Sequence, residues 1–171
     1  MKITSAFGLI LCLFCVLMTG ASMASPLDGL KKVGEAKLTV YFWDVYQSSL
    51  YSPTGDYKDD LLPMALNIDY LRDIDAEDLL ESTKDEWQKL GINSSESAEW
   101  LLKLADIFPD IKKGDTLLLL VNDAQQSTFF YNNNPVGVIK DVDFGHSFLR
   151  IWVDKNASYP KVRNKLIGLT P

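Results

Sequence analysis

The chain predicts an α+β fold, an antiparallel sheet with helices packed over one face. Three observations carry this. Segments that alternate apolar and polar residues form two groups, with two stretches of helical apolar spacing between them. Two further helical stretches follow the second group. The leucines from Leu117 to Leu120 show no alternation and read as a buried strand. A closed ligand barrel fits less well, because too much of the chain is helical.

Val33 to Trp43 alternates, with Leu38, Val40 and Phe42 on one side and Lys37, Thr39, Tyr41 and Trp43 on the other. Period two predicts a strand. Asp44 interrupts it, and Val45 to Tyr51 resumes an extended, β-favouring composition. Ser52-Pro53-Thr54-Gly55-Asp56 predicts a turn, since Pro fixes φ and Gly accepts φ > 0. Met64, Leu66, Ile68 and Tyr70 give the next strand one apolar side.

Asp75 is the expected N-cap of the first helix, with Glu77 and Asp78 suiting the positive end of its dipole. Ala76, Leu79, Leu80, Thr83, Trp87 and Leu90 gather into one stripe, and Gly91 ends the helix. Ser94 or Ser95 opens the second helix. Trp100, Leu101, Leu104, Ala105, Ile107 and Phe108 cover nearly half its circumference, which predicts deeper burial than the first. Pro109 stops it.

Lys112-Lys113-Gly114-Asp115 predicts a hairpin-like turn into the leucine strand, which should be covered on both faces. Gln126 to Tyr131 is its expected antiparallel partner. Asn132-Asn133-Asn134-Pro135 predicts a tight turn and Val136 to Ile139 a short strand. Asp141 or Asp143 caps a helix running through Trp152, and Ser158-Tyr159-Pro160 opens the last helix.

The N-terminus reads as a targeting segment. Lys2 precedes an apolar run from Ala6 to Met18, and Ser22-Met23-Ala24 fits a small-x-small cleavage site. The run is too short to span a bilayer comfortably, so cleavage after Ala24 is expected, with an uncleaved anchor as the alternative. Residues 25–171 would then form one domain, exported to a periplasm or the exterior and not inserted in a membrane. Cys12 and Cys15 both lie in the leader. The mature domain would have no disulfide, thiolate metal site or Cys nucleophile.

Without the leader, 16 basic face 23 acidic residues, a net charge of −7. That argues against nucleic acid and anionic membrane surfaces as partners, because of repulsion. The sequence names no protein partner.

Several motifs together resemble the chalcone isomerase-like superfamily, in particular its exported bacterial branch. They are Val33-Gly34, Phe42-Trp43-Asp44-Val45-Tyr46 with Leu50-Tyr51, and Tyr70-Leu71-Arg72-Asp73. Ile107-Phe108-Pro109-Asp110, Lys113-Gly114-Asp115, Phe129-x-Tyr131-Asn132 with Gly137, and Phe148 with Ile151-Trp152-Val153 complete the ordered set. The resemblance implies an open-faced β-sandwich with a cleft for an apolar ligand between sheet and helices. Plant relatives cyclise chalcones; others bind fatty acids. The plant enzyme's cleft Arg is replaced by Lys37, which lacks a bidentate fork. Its strand Thr aligns with Tyr46, and its helical Tyr/Lys/Asn group has no counterpart. No catalytic residue is therefore assigned.

The expected function is non-catalytic binding of an apolar or amphipathic molecule: fatty-acid-like, flavonoid-like or haem. An isomerase or lyase acting on an enone, and a protein-interaction module with a filled cleft, are the alternatives. Lys37, Tyr46 and Arg72 are the candidate head-group contacts, with Tyr41, Trp43, Phe144, Phe148 and Trp152 as the aromatic lining. Arg72 could instead pair with nearby Asp69, Asp73 or Asp75. No cofactor or metal is expected. His146, the sole histidine, lies about 200° round the helix from Phe144 at 100° per residue, so it predicts a surface residue rather than a haem ligand. The Asp56, Asp59, Asp60 and Asp141, Asp143 groups lack the spacing of a calcium loop.

Overall fold

A computed structural model describes residues 25–169. The proposed leader, its cleavage site and both cysteines lie outside them. Six strands form one antiparallel sheet in sequence order: β1 (Lys31–Val40), β2 (Trp43–Ser52), β3 (Met64–Tyr70), β4 (Thr116–Val121), β5 (Ser127–Tyr131) and β6 (Asn134–Ile139). Helices α1 (Ala76–Lys89) and α2 (Ser95–Ile107) connect β3 to β4. Helices α3 (Val142–Val153) and α4 (Pro160–Leu166) follow β6. Among the described residues, no helix is long and apolar enough to cross a membrane.

Alternation sets which face of the sheet meets the helices. Ala36, Leu38, Leu50, Leu66, Ile68 and Tyr70 are buried on that face, joined by Leu117, Leu119, Val121 and Phe129. Leu118 is buried on the opposite face, flanked by its register partners Asn67 and Phe130, while Leu120 there is only partly buried. The leucine strand is thus interior to the sheet, but it is not covered by a second layer as its composition predicts.

Helices α2 and α3 open on capping side chains, whereas Asp75 holds the N-cap position of α1 without a side-chain cap bond and the Ala76 amide donates to Asp110 Oδ1 at 3.0 Å. Ser94 Oγ accepts from the Ser97 amide at 3.3 Å, and Asp141 accepts from the Asp143 amide at 3.1 Å. Gly91, at φ +73, follows α1, and Pro160 occupies its first-turn position in α4. Helix α2 buries three residues against the two of α1, Thr83 and Trp87, as its sequence predicts, but along a narrower stripe than expected. Only Ser97, Trp100 and Leu104 are buried, and Leu102 is 72% exposed. It packs at the sheet's β6 end, where one narrow stripe meets the protein.

Two turns differ from expectation. Lys112 to Asp115 joins no hairpin. It follows an isolated bridge between Ile74 and Ile111, and Gly114 N–H donates to the Tyr70 carbonyl. The true first hairpin turn lies at Tyr41-Phe42, two residues before the break that Asp44 suggests, because Val40 pairs with Trp43.

Gly34 fixes the fourth helix. A Cβ there would stand 2.1 Å from the Lys165 carbonyl oxygen, so only glycine lets α4 lie this close to β1. Gly145 plays the same part for α3 over β4 and β5, where a Cβ would meet Ser127 Oγ at 2.7 Å.

Candidate functional site

One half of the space between sheet and helices is packed solid with aromatic rings. Trp87, Trp100, Phe129, Phe144 and Phe148 meet edge-on at centroid distances of 5.4–6.4 Å, apart from the stacked Phe144–Phe148 pair. The indole N–H groups are satisfied as well. Trp87 donates to the Ser147 carbonyl and Trp100 to Asp141 Oδ2, each at 3.0 Å. These bonds tie α1 and α2 to α3 and hold the helical layer as a unit.

The other half is open, a cavity of 390 Å³. That lies within the size range of small-molecule sites. Its floor is the sheet: Leu38 and Val40 of β1, Val45 and Tyr46 of β2, and Leu66, Ile68 and Tyr70 of β3, with Leu117, Leu119 and Phe129 beyond. Its roof is α1 on one side, through Leu79 and Thr83, and Phe148, Ile151, Trp152 and Val162 on the other. Ser82, Asp85, Lys89 and Tyr159 line it and are solvent-exposed, so the mouth opens between α1 and the start of α4.

Two phenols supply the inner polarity. Trp152 Nε1 donates to the Tyr46 hydroxyl at 2.9 Å. That bond uses an oxygen lone pair and leaves the Tyr46 proton free to be donated. The Tyr70 ring meets Tyr46 edge-on at 6.2 Å. The Tyr70 hydroxyl makes no hydrogen bond to any described residue, and its oxygen is not sealed in protein as Ser127 Oγ is, so it borders the cavity. Burial pushes both phenols well above the ordinary tyrosine range, so both remain O–H donors.

Charge sits only at the rim. Lys89 is the one cation of the described lining, and its Nζ pairs with Glu86 at 2.8 Å. Glu86 also accepts from Ser158 Oγ at 2.6 Å, which ties the rim of α1 to the start of α4. Asp85 adds an unmatched carboxylate.

The sequence-predicted residues divide sharply. Tyr46, Phe148 and Trp152 are on the cavity wall. Phe144 is fully buried in the packed half, away from the wall. Lys37 points to the opposite face of the sheet, because it alternates with buried Ala36 and Leu38; it pairs with Asp44 at 2.9 Å. Lys37 and Tyr46 therefore do not converge in one pocket. Arg72 is exposed in an open outer groove with Asp73, Asp78, Glu81 and Asp85, beside the cavity rather than in it. Tyr41 and Trp43 are 91% and 68% exposed at the hairpin turn, since the chain reverses before they can reach the cavity. His146 is exposed on α3.

Tyr70, Thr83 and the Glu86–Lys89 rim were not singled out by sequence. Tyr70 had a usable signal, a phenol ending the apolar side of β3. The rim had none, since i,i+3 ion pairs are common on any helix.

A sequence model of the family described as chalcone isomerase-like matches residues 30–168, nearly the whole described fold. The chain belongs to the chalcone isomerase-like family. This chalcone isomerase-like domain is also similar to an uncharacterised protein of Haemophilus influenzae, at 27% identity over 158 residues, covering 92% of this chain and 77% of that one. Among solved structures it is similar to a fatty-acid binding protein of Arabidopsis thaliana, with a TM-score of 0.64 and 16% identity, over 83% of this chain and 88% of that chain. At that identity the likeness shows the shared fold.

Proposed function

We propose that the protein binds an apolar or amphipathic small molecule in the cavity between sheet and helices, holding it without a reaction. The observation that carries this is the cavity itself: apolar walls, two phenolic donors inside and no cation among the described interior residues. The related fold of a fatty-acid binding protein supports the reading.

The polar end of the ligand is an uncharged oxygen acceptor, such as an ester, aldehyde or ketone. The Tyr46 and Tyr70 hydroxyls can each donate to it. A carboxylate would instead be desolvated without a positive partner, which costs several kcal/mol. Fatty-acid-like chains thus fit in neutral form better than as ions. Haem has no histidine to bind it here, since His146 is exposed on α3 and absent from the cavity wall. An enone isomerase built on Lys37 with Tyr46 is disfavoured by their placement on opposite faces.

Native mass spectrometry of the gently extracted protein tests the reading. An adduct of a lipid-sized neutral molecule, lost on mild activation, is the expected result. A protein that is empty and takes up no long-chain ester, flavonoid or haem would overturn it. The export of the protein is a separate part of the reading. Chemical sequencing of the N-terminus from fractionated cells should begin at Ser25 in the exported fraction, and protein confined to the cytoplasmic fraction with an intact Met1 would overturn it.

A further inference from the structure

The β1–β2 hairpin ends in three consecutive aromatic residues that the fold does not use. Tyr41, Phe42 and Trp43 are 91%, 96% and 68% exposed. Single exposed apolar residues are ordinary, but three bulky rings held together in water are not. The backbone sharpens the point. Val40 pairs with Trp43, which leaves a two-residue turn, and Tyr41 takes φ +55 at its first position. Gly or Asn suits that position without strain, whereas a bulky side chain there is a conformational outlier. The chain thus keeps an aromatic ring where backbone preference opposes it.

We propose that the Tyr41-Phe42-Trp43 tip docks on the surface of a zwitterionic lipid layer. Trp and Tyr combine an apolar ring with one polar atom and prefer the boundary between headgroups and acyl chains. Phe42, the most exposed, reaches past them into the apolar layer. Just behind the tip, Lys37 and Asp44 neutralise each other at 2.9 Å, and Thr39 Oγ1 donates to the same carboxylate at 2.6 Å, so the charges nearest the tip in sequence are paired.

A protein partner fits less well. A stable protein interface buries about 800 Å² on each side, and three aromatic side chains supply at most about 750 Å² even if wholly covered. A lipid surface needs no shaped counterpart. The net charge of −6 and the Asp85 and Glu86 carboxylates near the cavity mouth favour zwitterionic over anionic lipid. Val40 and Val45 flank the tip in sequence and line the cavity. Docking would therefore bring the cavity's edge to a phase in which apolar ligands dissolve; this last clause rests on the proposed binding function.

The test uses the full chain with phosphatidylcholine vesicles, plain or carrying brominated acyl chains that quench nearby tryptophan. The N-terminal apolar run contains no Trp, and Trp87 and Trp100 are buried, so Trp43 reports the tip. Emission should shift to shorter wavelength and be quenched by the brominated lipid, and Trp43→Phe should remove most of that quenching. Phe42→Ser should weaken the Trp43 response roughly tenfold or more in lipid concentration, with the urea midpoint unchanged because the side chain is exposed. Replacing part of the lipid with phosphatidylglycerol should weaken the response. Trp43 emission that ignores vesicles overturns the proposal. So does quenching that survives Trp43→Phe, which would come from Trp152 and a lipid in the cavity, or a shift that appears without vesicles together with a doubled mass. Ligand uptake in vesicle-free solution reads the cavity separately.

Discussion

The Trp152 indole donates to the Tyr46 hydroxyl at 2.9 Å, joining α3 to β2 across residues 106 apart in sequence. This bond ties the helical layer to the sheet at the cavity wall. Tyr46→Phe removes the acceptor and leaves the indole N–H unpaired. We expect a loss of about 1–3 kcal/mol in urea unfolding. Trp152→Phe should destabilise too, while the double variant should cost less than the sum, since the second change removes a partner already lost. Strict additivity would show that the bond is not formed.

Gly34 carries α4, and α4 carries Val162 to the cavity wall. The Lys165 carbonyl that a Cβ would strike is backbone and cannot swing aside. Gly34→Ala should cost about 1–3 kcal/mol and loosen α4. Amide exchange in Pro160–Leu166 should rise more than in β3 and β4. An unaltered exchange pattern would mean that α4 does not depend on this close approach.

Ser127 presents the opposite case. Its hydroxyl is sealed under α3 and has no hydrogen-bond partner among the described residues. Ser127→Ala removes an unsatisfied polar atom and little volume, so it should stabilise the protein by about 1 kcal/mol. A clear loss of stability would contradict the geometry.

Alkaline pH tests the buried phenols. Burial, the largest cause, raises the pKa of both Tyr46 and Tyr70 above the ordinary value of 10.0. A group whose pKa is raised on folding stabilises the fold below its unfolded pKa, and that stability is lost as pH rises through the folded value. The urea midpoint should therefore fall as pH rises above about 10. Tyr70→Phe should make the decline shallower. An equal slope in the variant would mean that Tyr70 is not desolvated in the folded protein.

The strands and helices were legible because burial here follows simple periods. Met64, Leu66, Ile68 and Tyr70 advertise one face, and Gly91, Ser94 and Pro109 mark helix ends that the fold obeys. The site was less legible because alternation was carried too far through β1. It assigns Tyr41 and Trp43 to a face, yet a two-residue turn reverses the chain there and puts both in solvent. The same alternation puts Lys37 opposite Leu38, on the sheet face away from the cavity. Arg72 sits just past the end of β3, where no period governs direction. The leucine run misled in another way, because lateral neighbours in a wide sheet can bury Leu118 without a second layer above it.

The central claim is that the cavity takes an uncharged amphipathic chain and that Tyr70 donates to its head. Displacement of Nile red at pH 7.5 by methyl dodecanoate, dodecanoate and dodecane measures it most directly. The ester should bind at least about tenfold more tightly than the carboxylate, and Tyr70→Phe should weaken the ester about three- to tenfold while leaving the alkane unchanged. Tighter binding of the carboxylate, or a Tyr70→Phe effect as large on the alkane as on the ester, would contradict the account.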